Sequence, residues 1–564
     1  MAKSWGTESW GQRMVELEEA FVASGWLGRK VVAGALSWPD DGDDLLPLLL
    51  NAADERQAQL LNWSRLNGAK LTVGWPGDSS KRVDSWLGPR LLWWPSGVPE
   101  GRQVAWVSSR LGRAIDERPD WFAVLRSAAA KFDSARDVLL TAPSTTVDRF
   151  LERAAILFGL RRLRVHLDER RTLVDWLTRL RRQLWQSCLT NDVTTNHDEA
   201  DQDHTMSDLF VSPMIEAAPT NPKRQRGRTL PDVPNSVTGE AFSLADASGW
   251  CDASSKLGEL PLSDRMLIAA ADQVVALQVR PNGNLHQLLR ARLTNSAWPT
   301  ASVWLALGEA FVPAEVAVEL QSLGAVGWWL FVEHVSNVLE SQPEAGTLET
   351  CPTRLPWPDG DYLVHWTRRR DGPWPGESEA DFIDGLLLSR DAISHSAFAA
   401  LSRIVQQRRL IASAAGIRGD DAVVSFSARP LHELTQQRQF RAHRGRWDCE
   451  GYGLCIRRDW LQARGAKPVL YGDDAEWAAL SNSDRPFFQL KTTRSRNGAK
   501  AIDWSQEAEW RVPHDLDLSE AGRDELVLFA PTHEEAQQLA AISPWPVLVA
   551  CSDPIYGVER RSTP

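Results

Sequence analysis

The chain has 564 residues, 43% of them hydrophobic and 24% charged, with 63 Lys and Arg against 74 Asp and Glu. That length exceeds what one hydrophobic core supports, so two or three domains are expected. The net charge of -11 argues against a surface that tracks phosphate backbones throughout, while leaving room for a local basic groove.

The six cysteines (Cys188, Cys251, Cys351, Cys449, Cys455 and Cys551) are scattered, and the start carries no apolar leader. Both features predict a soluble cytoplasmic protein rather than a disulfide scaffold. Cys449 and Cys455 are the one close pair, without a matching His or Cys pair for zinc. Leu267–Val279 is interrupted by Asp272 and Gln273, so no membrane span is expected there.

In chain order, short apolar runs at 31–36, 71–74, 91–94 and 138–141 alternate with longer amphipathic segments. This pattern predicts a parallel sheet with helices on its faces. The clearest unit starts at Asp137: a strand broken at Pro143, then a helix capped by Ser144, Thr145 or Thr146 and ending at Gly159, then a strand at 163–165. The three hydroxyl residues read equally as an N-cap or as a phosphate site at a helix N-terminus.

From 189 to 257 periodicity gives way to Asn, Asp, Thr, Pro and Ser, including the basic run Pro222–Arg228, which predicts a disordered insertion or linker. The α/β pattern resumes with a helix from Ser263, a buried strand through Val274 and Val275, and a turn at 280–284. A helix to Leu293, a strand at 302–307 and Leu323-Gly324-Ala325 follow. This order of elements resembles the SLOG/DprA-like Rossmann superfamily. The resemblance implies a Rossmann-like domain of two parts, 28–188 and 258–340, that senses a nucleotide or scaffolds an oligomer. Asn282 and Gly283 stand where the family has a phosphate loop, with Ser144, Thr145 and Thr146 as further candidates.

Proline-rich residues at 341–358 mark a boundary, and from 359 to 555 the elements become short strands between long polar loops, an α+β pattern. The first strand ends in His365-Trp366-Thr367. The stretch from Asp503 to Val512, read as one strand, places Glu507, Glu509 and Arg511 on one face and Trp510 and Val512 on the other. A charged edge strand explains those residues as well as a cleft does.

The order of His-x-Thr, Val-Ser-Phe-Ser-Ala-Arg-Pro-Leu, Tyr-Gly-Leu-Cys-Ile-Arg-Arg and Glu-Ala-Glu-Trp-Arg resembles uncharacterised bacterial ADP-ribosyltransferase-like domains related to DarT. The resemblance implies an NAD cleft between two half-sheets. Glu507 or, preferably, Glu509 would be the carboxylate beside an oxocarbenium-like ribose. His365 and Thr367 would bond ribose and nicotinamide, Tyr452 and Tyr471 would stack on the ring, and Arg446 and Arg511 would meet phosphate or charge. A structural histidine, core tyrosines and a solvated basic loop are the alternatives for these residues.

No Gly-x-Ser-x-Gly, His-Glu-x-x-His or P-loop sequence occurs, so serine hydrolase, zincin and P-loop chemistries lack their signatures. Three functions follow: NAD-dependent ADP-ribosyl transfer or NAD hydrolysis onto a protein or nucleic-acid acceptor, coupled to nucleotide sensing; a non-catalytic nucleotide-binding sensor; and a DprA-like DNA-processing factor.

Overall fold

The computed structural model describes residues 7–28, 43–190, 206–215, 257–329, 354–388, 394–436, 440–493 and 502–550, apart from 52, 77–79, 113–114, 309, 416, 420, 442–445 and 448–449. The run at 31–36, the basic run at 222–228, Cys449 and residues 341–353 of the proline-rich boundary lie outside the described residues. The chain forms two compact units, Met1–Glu333 with Leu386–Ser389, and His334–Gly385 with Arg390–Pro564. No described helix is long and apolar enough to cross a membrane.

The first unit is built on a nine-stranded sheet: β1 (Lys70–Val73), β2 (Leu91–Trp94), β3 (Arg102–Ser108), β4 (Asp137–Thr141), β5 (Arg162–Leu167), β6 (Met206–Val211), β7 (Gln273–Gln278), β8 (Val303–Leu307) and β9 (Val326–Trp329), in the order β1-β2-β6-β5-β4-β3-β7-β8-β9. The seven strands from β6 to β9 run parallel. The central strands β4 and β7 are buried along their whole length, as expected where helices cover both faces.

Two expectations change here. The strands at 71–74 and 91–94 do not join the parallel set: β1 and β2 form an antiparallel pair at one edge, with β2 antiparallel to β6. The segment read as an unstructured insertion supplies β6 itself, whose Leu209 and Val211 are fully buried beside β5. Six residues in a polar stretch are too few to show a period, so packing against β5 decides the strand.

The second unit holds a seven-stranded sheet. Its order is Lys467–Pro468, Glu509–Val512, Val424–Ser427, Tyr362–Trp366, Gly453–Arg457, Leu526–Ala530 and Val547–Val549. All neighbours are antiparallel except the last pair. One face packs Leu363, Phe426, Leu454, Val512 and Leu528 with Leu401 and Leu539 of the helices Ala397–Gln407 and His533–Ile542. The other face carries Tyr362, Val364, Cys455, Val527 and Phe529. The single strand expected at 467–471 divides in two: Lys467–Pro468 pairs with the Glu509 strand, and Leu470–Gly472 pairs in parallel with Phe488–Leu490.

Candidate functional site

The sheet of the second unit is nearly cut in two. The Tyr362 strand pairs with the Gly453 strand over five residues, yet meets the Val424 strand at one pair alone, Val364 with Ser427. His365 follows that pair, and its Nδ1 donates to the Ser425 carbonyl at 2.9 Å, bridging the two half-sheets by a side chain.

A carbonyl accepts only, so the Nδ1 proton is fixed and Nε2 keeps its lone pair. No described residue bonds that Nε2. Burial holds the imidazole well below its usual range, to about 4, with the Ser425 bond opposing and Arg368 reinforcing the shift. His365 is therefore a neutral, partly exposed acceptor at the split.

The carboxylates lie elsewhere. Paired residues of antiparallel strands share a face, and Val364 pairs with Ser427 as Ser427 pairs with Glu509. Glu509 and Arg511 thus face with Val364. His365 alternates to the face of Phe426, whose ring centroid is 5.5 Å away. The expected meeting of His365 with Glu509 across one groove does not occur: the two occupy opposite faces of the sheet.

Glu507 does not share the Glu509 strand either. It ends a 3-10 turn, Trp504–Glu507, and is exposed. Ala508 then takes φ of 46° in the left-handed region, which breaks the period of two before the strand begins at Glu509.

Arg511 is buried and fully engaged. Its Nε and Nη2 reach Glu509 Oε1 and Oε2 at 2.9 and 3.1 Å. Its Nη1 donates to the Pro486 and Phe488 carbonyls at 3.1 and 2.8 Å, and Nη2 also meets Gln489 Oε1 at 2.9 Å. Both oxygens of the preferred catalytic carboxylate are occupied by a guanidinium that closes the fold around 486–489.

Tyr471 joins this cluster, since its hydroxyl accepts from the Glu509 amide at 3.1 Å, and burial raises its pKa. Tyr452 does not. Its ring packs edge-on to Phe398 at 5.9 Å and its hydroxyl donates to Glu535, so it is a core residue with a tethered end. Thr367 is buried and donates Oγ1 to the Ala397 carbonyl at 3.0 Å, which secures a helix start and leaves no hydroxyl proton for nicotinamide. Arg446 sits in a two-stranded ribbon with Phe440–Arg441, and its side chain lies outside the described residues.

In the first unit, none of Ser144, Thr145 and Thr146 caps the helix Asp148–Phe158. Val147 is the N-cap, without a side-chain bond. Ser144 adopts φ of 72°, and Thr145 Oγ1 is spent on the Ala142 carbonyl at 2.9 Å. Asp148 in the first turn opposes an anion there. Asn282 (φ 57°) and Gly283 precede the helix Asn284–Thr294, with Gly283 as its N-cap.

β3 is not among the strands expected above, although the apolar run 104–107 between Gly101 and a serine pair is a strand signal. No group of three or more His, Cys, Asp or Glu placed to hold a metal occurs among the described residues. Comparison with protein-family models, with curated proteins and with solved structures found no match.

Proposed function

We propose that this chain is a nucleotide-binding protein whose second unit, an ADP-ribosyltransferase-like scaffold, binds a dinucleotide of the NAD type without transferring it. The carrying observation is the split at Val364 and Ser427, where one imidazole bridges the two strands and keeps an Nε2 that no described residue bonds. A neutral acceptor where the two half-sheets meet suits a ribose hydroxyl, which donates.

Transfer chemistry needs a carboxylate free to stabilise positive charge at the ribose. Glu509 lies on the other face with both oxygens on Arg511, so the sensor reading is favoured over the transferase. In the first unit, the reversal of strand order on either side of β3 supports a Rossmann-like, doubly wound arrangement.

Titration calorimetry of the full chain with NAD tests the reading. NAD binds, His365→Ala weakens it at least ten-fold, and no nicotinamide is released on prolonged incubation. Nicotinamide release that disappears in Glu509→Gln would establish the transferase or glycohydrolase instead. Absence of NAD binding removes both.

A further inference from the structure

β5 and β6 lie side by side in parallel register, with Arg164 opposite Asp208 and His166 opposite Phe210. Alternation puts these four side chains on one face of the sheet. The helix Leu173–Thr190 follows β5 in the chain, and Thr172 Oγ1 starts it by accepting the Asp175 amide at 3.1 Å. Its Trp176 and Leu180, one turn apart, pack with Phe210 in one apolar cluster. At the carboxyl end of β5 this packing leaves a cavity of about 190 Å³, whose lining includes His166, Asp168, Trp176, Arg179, Gln183 and Phe210.

The walls of this cavity are aromatic. The half-buried rings of His166 and Phe210 stack with centroids 4.6 Å apart and planes 11° apart, and Trp176 is buried beside them. The imidazole is fixed in that stack, since its Nε2 meets Asp208 Oδ1 at 2.8 Å. The same bond holds the Asp208 carboxyl below its usual range, so Asp208 stays an ionised acceptor and Nε2 keeps its proton. An apolar cavity of about 150 Å³ takes benzene, so this one has room for a single ring on a short arm. Ring walls favour a planar guest, stacked or edge-on.

Charge selects what the guest carries. Arg171 engages Asp168 at 2.6 Å, and His166 engages Asp208. Arg179 and Gln183, four positions apart on the same helix, are exposed and bond no described residue. The lining therefore offers one uncommitted guanidinium and one uncommitted amide, a pair that suits a carboxylate. We propose that this cavity binds a small aromatic carboxylate, with its ring against His166, Phe210 and Trp176 and its carboxylate on Arg179 and Gln183. The cavity lies two strands from β3, where the strand order reverses, so it is not the crevice that such a sheet offers a nucleotide. It is also independent of the NAD reading for the second unit.

Calorimetry on the full chain with phenylacetate, phenylethanol and acetate tests it. Phenylacetate, which has both ring and charge, binds about ten-fold or more tighter than either of the others. Arg179→Ala lowers phenylacetate affinity to that of phenylethanol and leaves phenylethanol unchanged. His166→Ala weakens both ring compounds, and the exposed Arg179→Ala keeps the test valid should His166→Ala fail to fold. N-acetylphenylalanine separates two sources of the same chemistry: weaker binding than phenylacetate assigns a free acid, and tighter binding assigns the aromatic end of a peptide. Absence of phenylacetate binding, or affinity unaltered by Arg179→Ala, overturns the site. Acetate binding as tightly as phenylacetate overturns the aromatic assignment.

Discussion

Arg511 holds both carboxylate oxygens of Glu509, two positions away on the same strand, and with its remaining donors ties that strand to the carbonyls of Pro486 and Phe488. Removing the guanidinium strands a carboxylate and two buried carbonyls together. Arg511→Ala is expected to destabilise the second unit by about 3–5 kcal/mol, as for other broken buried pairs. Glu509→Gln retains an acceptor and costs less, about 1–3 kcal/mol. Hydrogen exchange along residues 509–512 reads the difference locally: rapid exchange in Arg511→Ala and near-native protection in Glu509→Gln. Equal, small effects from both would show that the pair is not the clasp of this strand.

His365 sets a pH dependence. Its folded pKa is depressed to about 4 by burial, against about 6.5 in an unfolded chain. The unfolded state therefore takes the proton first as pH falls. The stabilisation is complete above about 6.5, declines from there to about 4, and is constant below. The full span is at most about 3.4 kcal/mol. Carboxylates titrate in the same window, so the measurement is the difference in urea midpoint between the native chain and His365→Asn at pH 7.5 and pH 4.5. The variant should narrow the gap between the two pH values, and an unchanged gap would place the imidazole in water.

Much of the strand inventory was legible, because β4 and β7 are runs of apolar residues whose burial on both faces needs no partner to be recognised. Register was not legible. Whether His365 faces Glu509 turns on Val364 pairing with Ser427 rather than with a neighbour, and a slip of one residue would reverse the answer. Periodicity also hid Ala508, since a left-handed backbone at an alanine leaves no mark in composition. Gln278 and Thr141, the last residues of β7 and β4, escaped notice for a related reason. A polar residue ending a strand reads as its boundary until the fold shows that the atom is buried with no partner among the described residues.

Arg292 carries a comparable load in the first unit. It is fully buried at the end of the helix Asn284–Thr294, donating to the carbonyls of Ile268, Ala271 and Asp272 and to Ser302 Oγ, with its guanidinium carbon 5.5 Å from the Trp298 ring centroid. A planar fork meets four acceptors that an ammonium point charge cannot reach together. Arg292→Lys should therefore fail as a conservative change, lowering stability by at least about 2 kcal/mol with the charge kept. Urea unfolding checks it, and a lysine variant of native stability would show that charge alone satisfies the site.

Gly453 links packing to the proposed NAD site. It pairs with Trp366, and a Cβ there would stand 2.1 Å from the His365 carbonyl and 2.6 Å from the Phe529 ring. Backbone cannot yield as a side chain can, so Gly453→Ala must push the Tyr362 strand away and carry His365 with it. The expected cost is about 1–3 kcal/mol, together with loss of NAD affinity matching that of His365→Ala. Adding Phe529→Leu distinguishes the two contacts, because it relieves the ring and leaves the carbonyl. If the double variant stays destabilised and deficient in NAD binding, the strand position is what the glycine protects. Full recovery would assign the constraint to Phe529 and free His365 from it.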